Sequence, residues 1–209
     1  MDNSDDPRQV VRQGYDALSY HYRSDDADDG QYAPWLAALA ERLPASATVL
    51  DLGCGCGVPV ARFLADRGHH VIGVDVSDVQ IRRARRLVPC GTFLHADATQ
   101  LDLPAASLDA VVCLYTLIHI PLADQPKVIE RIATWLRPRG WLLTTVGQDA
   151  WTGTQDNWLG GPAAMWWSQA NASTYRVWFQ RAGLTITSEQ FVPEGTSGHA
   201  LFWAQQPPR

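Results

Sequence analysis

Val49-Leu50-Asp51-Leu52-Gly53-Cys54-Gly55-Cys56-Gly57 decides the reading of this 209-residue chain. A short apolar strand carries an acid near its end, and three glycines follow at alternate positions. Apolar residues at helical spacing then predict a helix from about Pro59 to Arg67, burying Val60, Phe63 and Leu64 and stopping at Gly68. Glycine has no Cβ, so the backbone of such a turn passes close to a bound molecule. The helix N-terminus behind it offers unpaired N–H groups and partial positive charge to an anionic part of the ligand. The segment reads as a site for a nucleotide-like cofactor.

Glycine spacing separates the cofactors. A dinucleotide turn needs G-x-G-x-x-G, and Val58 stands where its third glycine belongs. Pro59 falls in the first helical turn, where its missing N–H costs little. No Gly-Lys-Ser or Gly-Lys-Thr follows, which excludes a phosphate-binding P-loop. Working outward, His70 to Val76 reads as a second buried strand ending on Asp75, at the distance from the glycines where one βαβ unit returns to the same sheet edge. A carboxylate there can accept hydrogen bonds from two neighbouring ribose hydroxyls, leaving Ser77 or Asp78 to cap the next helix. Thr92 to Ala98 is a third strand with an acid, Asp97, just after it. Ser107 to Tyr115 is a near-continuous apolar run, as a central parallel strand covered on both faces should be. Leu136-Arg137-Pro138-Arg139-Gly140 passes from a helix through a turn into a fifth strand.

These motifs, in this order, resemble those of the class I S-adenosylmethionine-dependent methyltransferases. Arg139 departs from the family's usual glycine in the last of them. The resemblance implies an α/β fold: a Rossmann-like, doubly wound, seven-stranded sheet whose last strand is antiparallel, with an N-terminal helical lid. It implies one methyltransferase domain over 1–209, with residues 1–44 as the arm and 147–170 as an aromatic cap. It implies S-adenosylmethionine as cofactor, with S-adenosylhomocysteine as product and no metal. Asp75 is then expected on the ribose, and Asp97 with Ala98 on the adenine. Asp51, Gly53, Gly55, Gly57 and Leu114 are expected along the methionine portion, with Val76 beside the ribose acid. The arm sequence Gly14-Tyr15-Asp16-Ala17-Leu18-Ser19-Tyr20-His21-Tyr22 resembles the family's opening helix, which places Tyr15 and Tyr22 over the cofactor. Aromatic groups near a sulfonium are favourable, although both tyrosines could equally pack the arm on the core.

Composition agrees with this reading. The length suits an α/β domain with a full core. No stretch is long and apolar enough to span a membrane, and no signal-peptide pattern opens the chain, so a cytoplasmic location is expected. A formal net charge of −5 speaks against a nucleic-acid surface. Arg82-Arg83-Ala84-Arg85-Arg86 is expected to be a solvated helix face, and Asp25 to Gly30 a loop of the arm. The four cysteines lack the spacing of a disulfide framework or a zinc site.

The acceptor is less legible. His119, in the loop after the fourth strand, faces the ligand crevice; it can orient the acceptor, remove its proton, or simply anchor the loop. Tyr22 is the second candidate for the chemistry. From Gly147 to Gln169 the chain is expected to be irregular, and its Trp151, Trp158, Met165, Trp166 and Trp167 must cover something. With Tyr115 they are expected to line a pocket for a small aromatic or apolar molecule, unless they close a core edge or a dimer contact. His199 is expected to be structural. The expected activity is methyl transfer to a small molecule by a monomer or homodimer, without nucleic-acid or membrane partners. Two rivals are a relative that keeps the cofactor without methylating, as a cyclase or regulator, and a nicotinamide-dependent oxidoreductase, which Val58 disfavours.

Overall fold

A computed structural model describes residues 6–28 and 30–208. Asp29, in the acidic loop of the arm, and residues 1–5 of the arm lie outside the described residues.

The arm begins with α1 (Pro7–Tyr22), started by the Asp6 side chain accepting from the Arg8 N–H and by a proline in the first turn. After the short α2 (Ala33–Ala40) the chain alternates: β1 (Thr48–Leu52), α3 (Val60–Ala65), β2 (His70–Asp75), α4 (Asp78–Leu87), β3 (Thr92–His95), β4 (Leu108–Cys113), α5 (Gln125–Trp135) and β5 (Leu136–Gly147). There follow β6 (Trp151–Gln155), β7 (Met165–Gln169), α6 (Ala172–Arg181), β8 (Thr185–Glu194) and β9 (Ser197–Gln205). The seven-stranded sheet runs β3-β2-β1-β4-β5-β9-β8, with β9 antiparallel to both neighbours and the other pairs parallel. The doubly wound fold and its reversed strand are therefore as expected.

Strand alternation sends Val49 to one face of the sheet, against Leu36, Leu39 and Leu64, and Leu50 and Leu52 to the other, against Ile129, Ile132 and Trp135. Strand order reverses between β1 and β4, so their C-terminal ends open a crevice where ligands of such sheets bind.

Two expectations change. The segment after β5 is not irregular: β6 and β7 form a separate antiparallel hairpin, with Trp151 opposite Gln169 and Gln155 opposite Met165. Its tryptophans masked the alternation that would have marked it as strand. The arginine run on α4 is not wholly solvated. Arg83 is buried and donates to Asp25, to the Ser19 hydroxyl and to the carbonyls of Ser19 and Arg23. Asp25 lies in the expected loop, which these bonds tie to α4, and Arg86 binds its second oxygen.

Candidate functional site

A cavity open to solvent lies over the C-terminal ends of β1, β2 and β4 and beneath α1. Gly53 and Gly55 form its floor, Asp75 and Val76 one wall, and Asp97 and Ala98 its far end. Leu114, Tyr115 and His119 come from beyond β4, and Tyr15 and Tyr22 close it from the arm. A second hollow shares Tyr22, Gly53, Gly55 and Leu114 with the first, and Asp51 lines it.

Backbone geometry shapes the floor. Gly53 has φ of 78°, and a Cβ there would overlap the Thr116 side chain, so the close approach of β1 and the β4 loop requires glycine. Gly55 also has positive φ, yet a Cβ on it would meet nothing within 4 Å. Gly57 serves a different purpose from the one expected. A Cβ there would press on Val88, Ala84 and Phe93, so this glycine seats the turn against α4 and does not line either hollow.

Asp75 is fixed by two backbone donors, Gly55 N–H at 2.9 Å to Oδ2 and Ser77 N–H at 2.8 Å to Oδ1. Each oxygen retains a lone pair for a ligand hydroxyl. Burial lifts its pKa to about 6, against the opposing pull of those two N–H bonds. Ser77 caps α4 by accepting from Gln80 N–H, and its hydroxyl donates to Asp16 of the arm. Asp97 accepts from Thr99 N–H at 2.7 Å through Oδ1. Asp51 is 3% exposed, and its Oδ2 is buried without a partner among the described residues. Burial, then the charge of Asp75, raises its pKa to about 8.

These features suit S-adenosylmethionine. Asp75 and Asp97 offer carboxylate acceptors at one end for ribose and adenine. At the other end the open floor at Gly55 and the unpartnered Asp51 oxygen suit the polar methionine tail. Among the described residues no group of three or more His, Cys, Asp or Glu could hold a metal ion, and no helix is long and apolar enough to cross a membrane.

His119 sits in a short turn after β4, held by α1 and β7. Its Nδ1 is 2.8 Å from the Trp166 carbonyl, its Nε2 is 3.1 Å from the Tyr15 hydroxyl, and the Trp167 ring lies 4.4 Å from its own. A carbonyl only accepts, so Nδ1 carries the proton and Nε2 accepts from Tyr15. Burial lowers the pKa of the ring to about 4, and that of the Tyr15 phenol is raised by the same cause.

The cap tryptophans do not line the cavity. Trp158 and Met165 are buried against Val11 and Leu18 of α1, and Trp158 stacks on Tyr22 at 5.6 Å. Trp166 contributes its carbonyl and Trp167 its ring to His119, while Trp151 is 47% exposed at the hairpin's edge. They form the roof above the tyrosines. The apolar mass of the cap is needed to bury one face of α1, which leaves the inner wall to the arm.

The cavity also uses residues that sequence reading passed over, among them Arg8, Val11 and Thr99. Arg8, Val11, Tyr15, Leu18 and Tyr22 recur at helical spacing on one face of α1, a periodicity that could have disclosed Arg8 and Val11. Arg8 also donates to Asp124 at 2.6 Å, tying the start of the arm to the region before α5. His199 pairs with Glu194 at 2.9 Å on the β8–β9 turn, beside Tyr115.

Residues 21–189 match the family described as a methyltransferase domain. The chain is 38% identical over 114 residues to 27-O-demethylrifamycin SV methyltransferase of Amycolatopsis mediterranei, covering 49% of this chain and 40% of that protein. It is 35% identical over 118 residues to carboxy-S-adenosyl-L-methionine synthase of Aliivibrio fischeri, covering 52% and 48%. The chain thus spans about half or less of the length of these curated relatives. Among solved structures, the cyclase SpnF superposes with a TM-score of 0.74 at 22% identity, over 97% of each chain. Magnesium protoporphyrin IX methyltransferase of Synechocystis, with bound S-adenosylhomocysteine, superposes with a TM-score of 0.73 at 20% identity, over 96% of this chain and 100% of the other. At that identity the likeness to solved structures shows the fold alone.

Proposed function

Because the chain belongs to the methyltransferase-domain family, we propose that it binds S-adenosylmethionine in the cavity above β1 and β4 and transfers its methyl group to a small molecule. The observation that carries this reading is the joining of Gly53, Gly55, Asp75 and Asp97 in one cavity closed by Tyr15, Tyr22 and His119. Asp75 takes the ribose hydroxyls, Asp97 and Ala98 the adenine, and Asp51 the ammonium of the methionine tail. The cofactor supplies a methyl group already activated by the positive sulfur. The protein's part is to hold a nucleophile in line with that carbon and to keep water out. Tyr15 and Tyr22, under the roof of Trp158, supply electron-rich rings and the water-excluding cover.

The acceptor is a small, aromatic or apolar molecule carrying a polar group, entering beside Tyr115 and Ile120. Support comes from the aromatic and aliphatic lining of that end of the cavity and from the name of the rifamycin-acting relative. The test is formation of S-adenosylhomocysteine when the protein is incubated with S-adenosylmethionine and a library of small aromatic hydroxyl, amine and thiol compounds. A second reading, cofactor retention without methyl transfer, draws on the synthase and cyclase among the similar proteins. Tight S-adenosylhomocysteine binding with no methylated product from any compound would favour it.

A further inference from the structure

The hydrogen bonds around His119 assign direction as well as contact. Trp166 offers only a carbonyl oxygen, so the proton of the imidazole is on Nδ1 and the Nε2 lone pair faces Tyr15. Tyr15 must therefore give its own proton to Nε2, which leaves its oxygen as an acceptor. Both residues line the cavity. The three parts come from α1, the turn after β4 and the β6–β7 hairpin, so the chain joins only when the arm and the roof are both seated. The hairpin's place is fixed independently: buried Gln125 donates to the carbonyls of Ile120 and Ser168 and accepts from the Tyr15-remote hydroxyl of Tyr175.

We propose that Tyr15 and His119 form a proton relay for a hydroxyl-bearing acceptor, in which Tyr15 touches the acceptor and His119 acts through Tyr15. This rests on the methyl-transfer reading above and names the chemical class of its acceptor. The acceptor O–H donates to the Tyr15 oxygen, which turns an oxygen lone pair toward the methyl carbon. As the oxygen–carbon bond forms, the electron pair of the carbon–sulfur bond returns to sulfur. The acceptor proton passes to the Tyr15 oxygen while the Tyr15 proton passes to Nε2. One positive charge leaves sulfur and one arrives on the imidazole, whose Nδ1–H remains bonded to the Trp166 carbonyl.

A buried imidazole is a weak base, its pKa lowered to about 4 by desolvation. That weakness suits the task. A hydroxyl being methylated becomes strongly acidic as the new bond forms, so its proton needs only a base that is unprotonated and in place, and a ring of that pKa is neutral at physiological pH. The charges of Tyr22, Asp75 and Tyr32 act on Tyr15 and that of His199 on His119, while the rings of Trp158 and Trp167 cover the pair from the roof.

Two measurements test the relay. Long-range proton–nitrogen NMR of the ligand-free protein at neutral pH should show His119 as the neutral Nδ1–H tautomer. Tyr15→Phe, which keeps the ring packing, should shift its Nε2 resonance. A charged ring, the Nε2–H tautomer, or no response to Tyr15→Phe would overturn the assignment. In turnover, each phenol or alcohol that the wild type methylates should lose about 100-fold or more in kcat with Tyr15→Phe and with His119→Gln, at nearly unchanged KM. Gln can accept from Tyr15 but cannot take its proton, so a purely positioning histidine would be rescued by it. Thiols of comparable shape, which ionise unaided, should be spared by Tyr15→Phe. Unchanged kcat for hydroxyl compounds, or methylation of thiols alone, would refute the relay. A wild type that binds no S-adenosylhomocysteine would instead fail the methyl-transfer reading itself.

Discussion

Replacing Asp51 by Asn should make the ligand-free protein more stable, by an amount that grows with pH. The carboxyl is 3% exposed, one oxygen has no partner among the described residues, and Asp75 lies near enough to raise its pKa further. Its folded pKa of about 8 stands far above the ordinary 3.8. The folded state therefore holds this proton more tightly than the unfolded state. Below the unfolded pKa the group costs nothing; as pH rises toward the folded pKa, folding must either keep a proton that water would remove or bury a charge. The penalty grows by about 1.4 kcal/mol per pH unit across that window and levels off above it. Asparagine has the shape of the neutral acid and does not titrate. Between pH 5 and pH 7 the stability difference between Asp51→Asn and wild type should widen by about 3 kcal/mol in favour of the variant. Urea unfolding of both proteins across that range measures it, since other titrating groups largely cancel in the difference. A difference constant to within about 0.5 kcal/mol would mean that the carboxylate is ionised and paired in the fold, refuting the argument. The same variant should bind S-adenosylhomocysteine more weakly, because the ligand's ammonium loses its counter-charge.

Gly53→Ala should lower the melting temperature by several degrees, from about 1–2 kcal/mol of left-handed strain plus displacement of Thr116, and should weaken cofactor binding as well. Wild-type stability and affinity in that variant would remove the stated need for glycine. Arg83→Met should loosen the arm by about 2–3 kcal/mol through loss of bonds to Ser19, Arg23 and Asp25, seen as faster hydrogen exchange across α1 with β4 and β5 unaffected. Uniform exchange changes would mean that the arginine supports the whole fold and not the arm. Trp151→Ser, at an exposed edge outside both hollows, should change stability by about 0.5 kcal/mol or less and leave turnover intact; a lost activity would place an acceptor on the outer hairpin.

The sheet was legible because its signals are local. Apolar runs, glycines at the strand–helix turn, and an acid at the end of β2 and just after β3 each report on a few neighbouring residues. Asp75 could be read from its distance to the glycines, because a parallel βαβ unit has a nearly fixed length, and Asp97 from its place just after the third strand. Gly57 lies outside both hollows and packs toward α4, a difference from Gly53 and Gly55 that alternate glycines do not show in sequence. The cap was misread for a related reason. Trp158 and Met165 had to be buried, but the sequence does not say against what, and the amphipathic face of α1 claimed them. His119 was found by its place after β4, yet its tautomer depends on the Trp166 carbonyl, nearly fifty residues away, which no local pattern announces. Arg83 likewise looked like one more surface arginine until the arm folded over it.

The central claim, that Asp75 and the glycine floor bind S-adenosylmethionine, is tested most directly by calorimetric titration of S-adenosylhomocysteine into the wild type and Asp75→Ala. The account predicts one site per chain in the wild type and an affinity about 100-fold lower in a variant that still folds, as expected for losing a charged acceptor of two hydroxyl hydrogen bonds. Equal affinity in the two proteins, or no binding to the wild type, would contradict it.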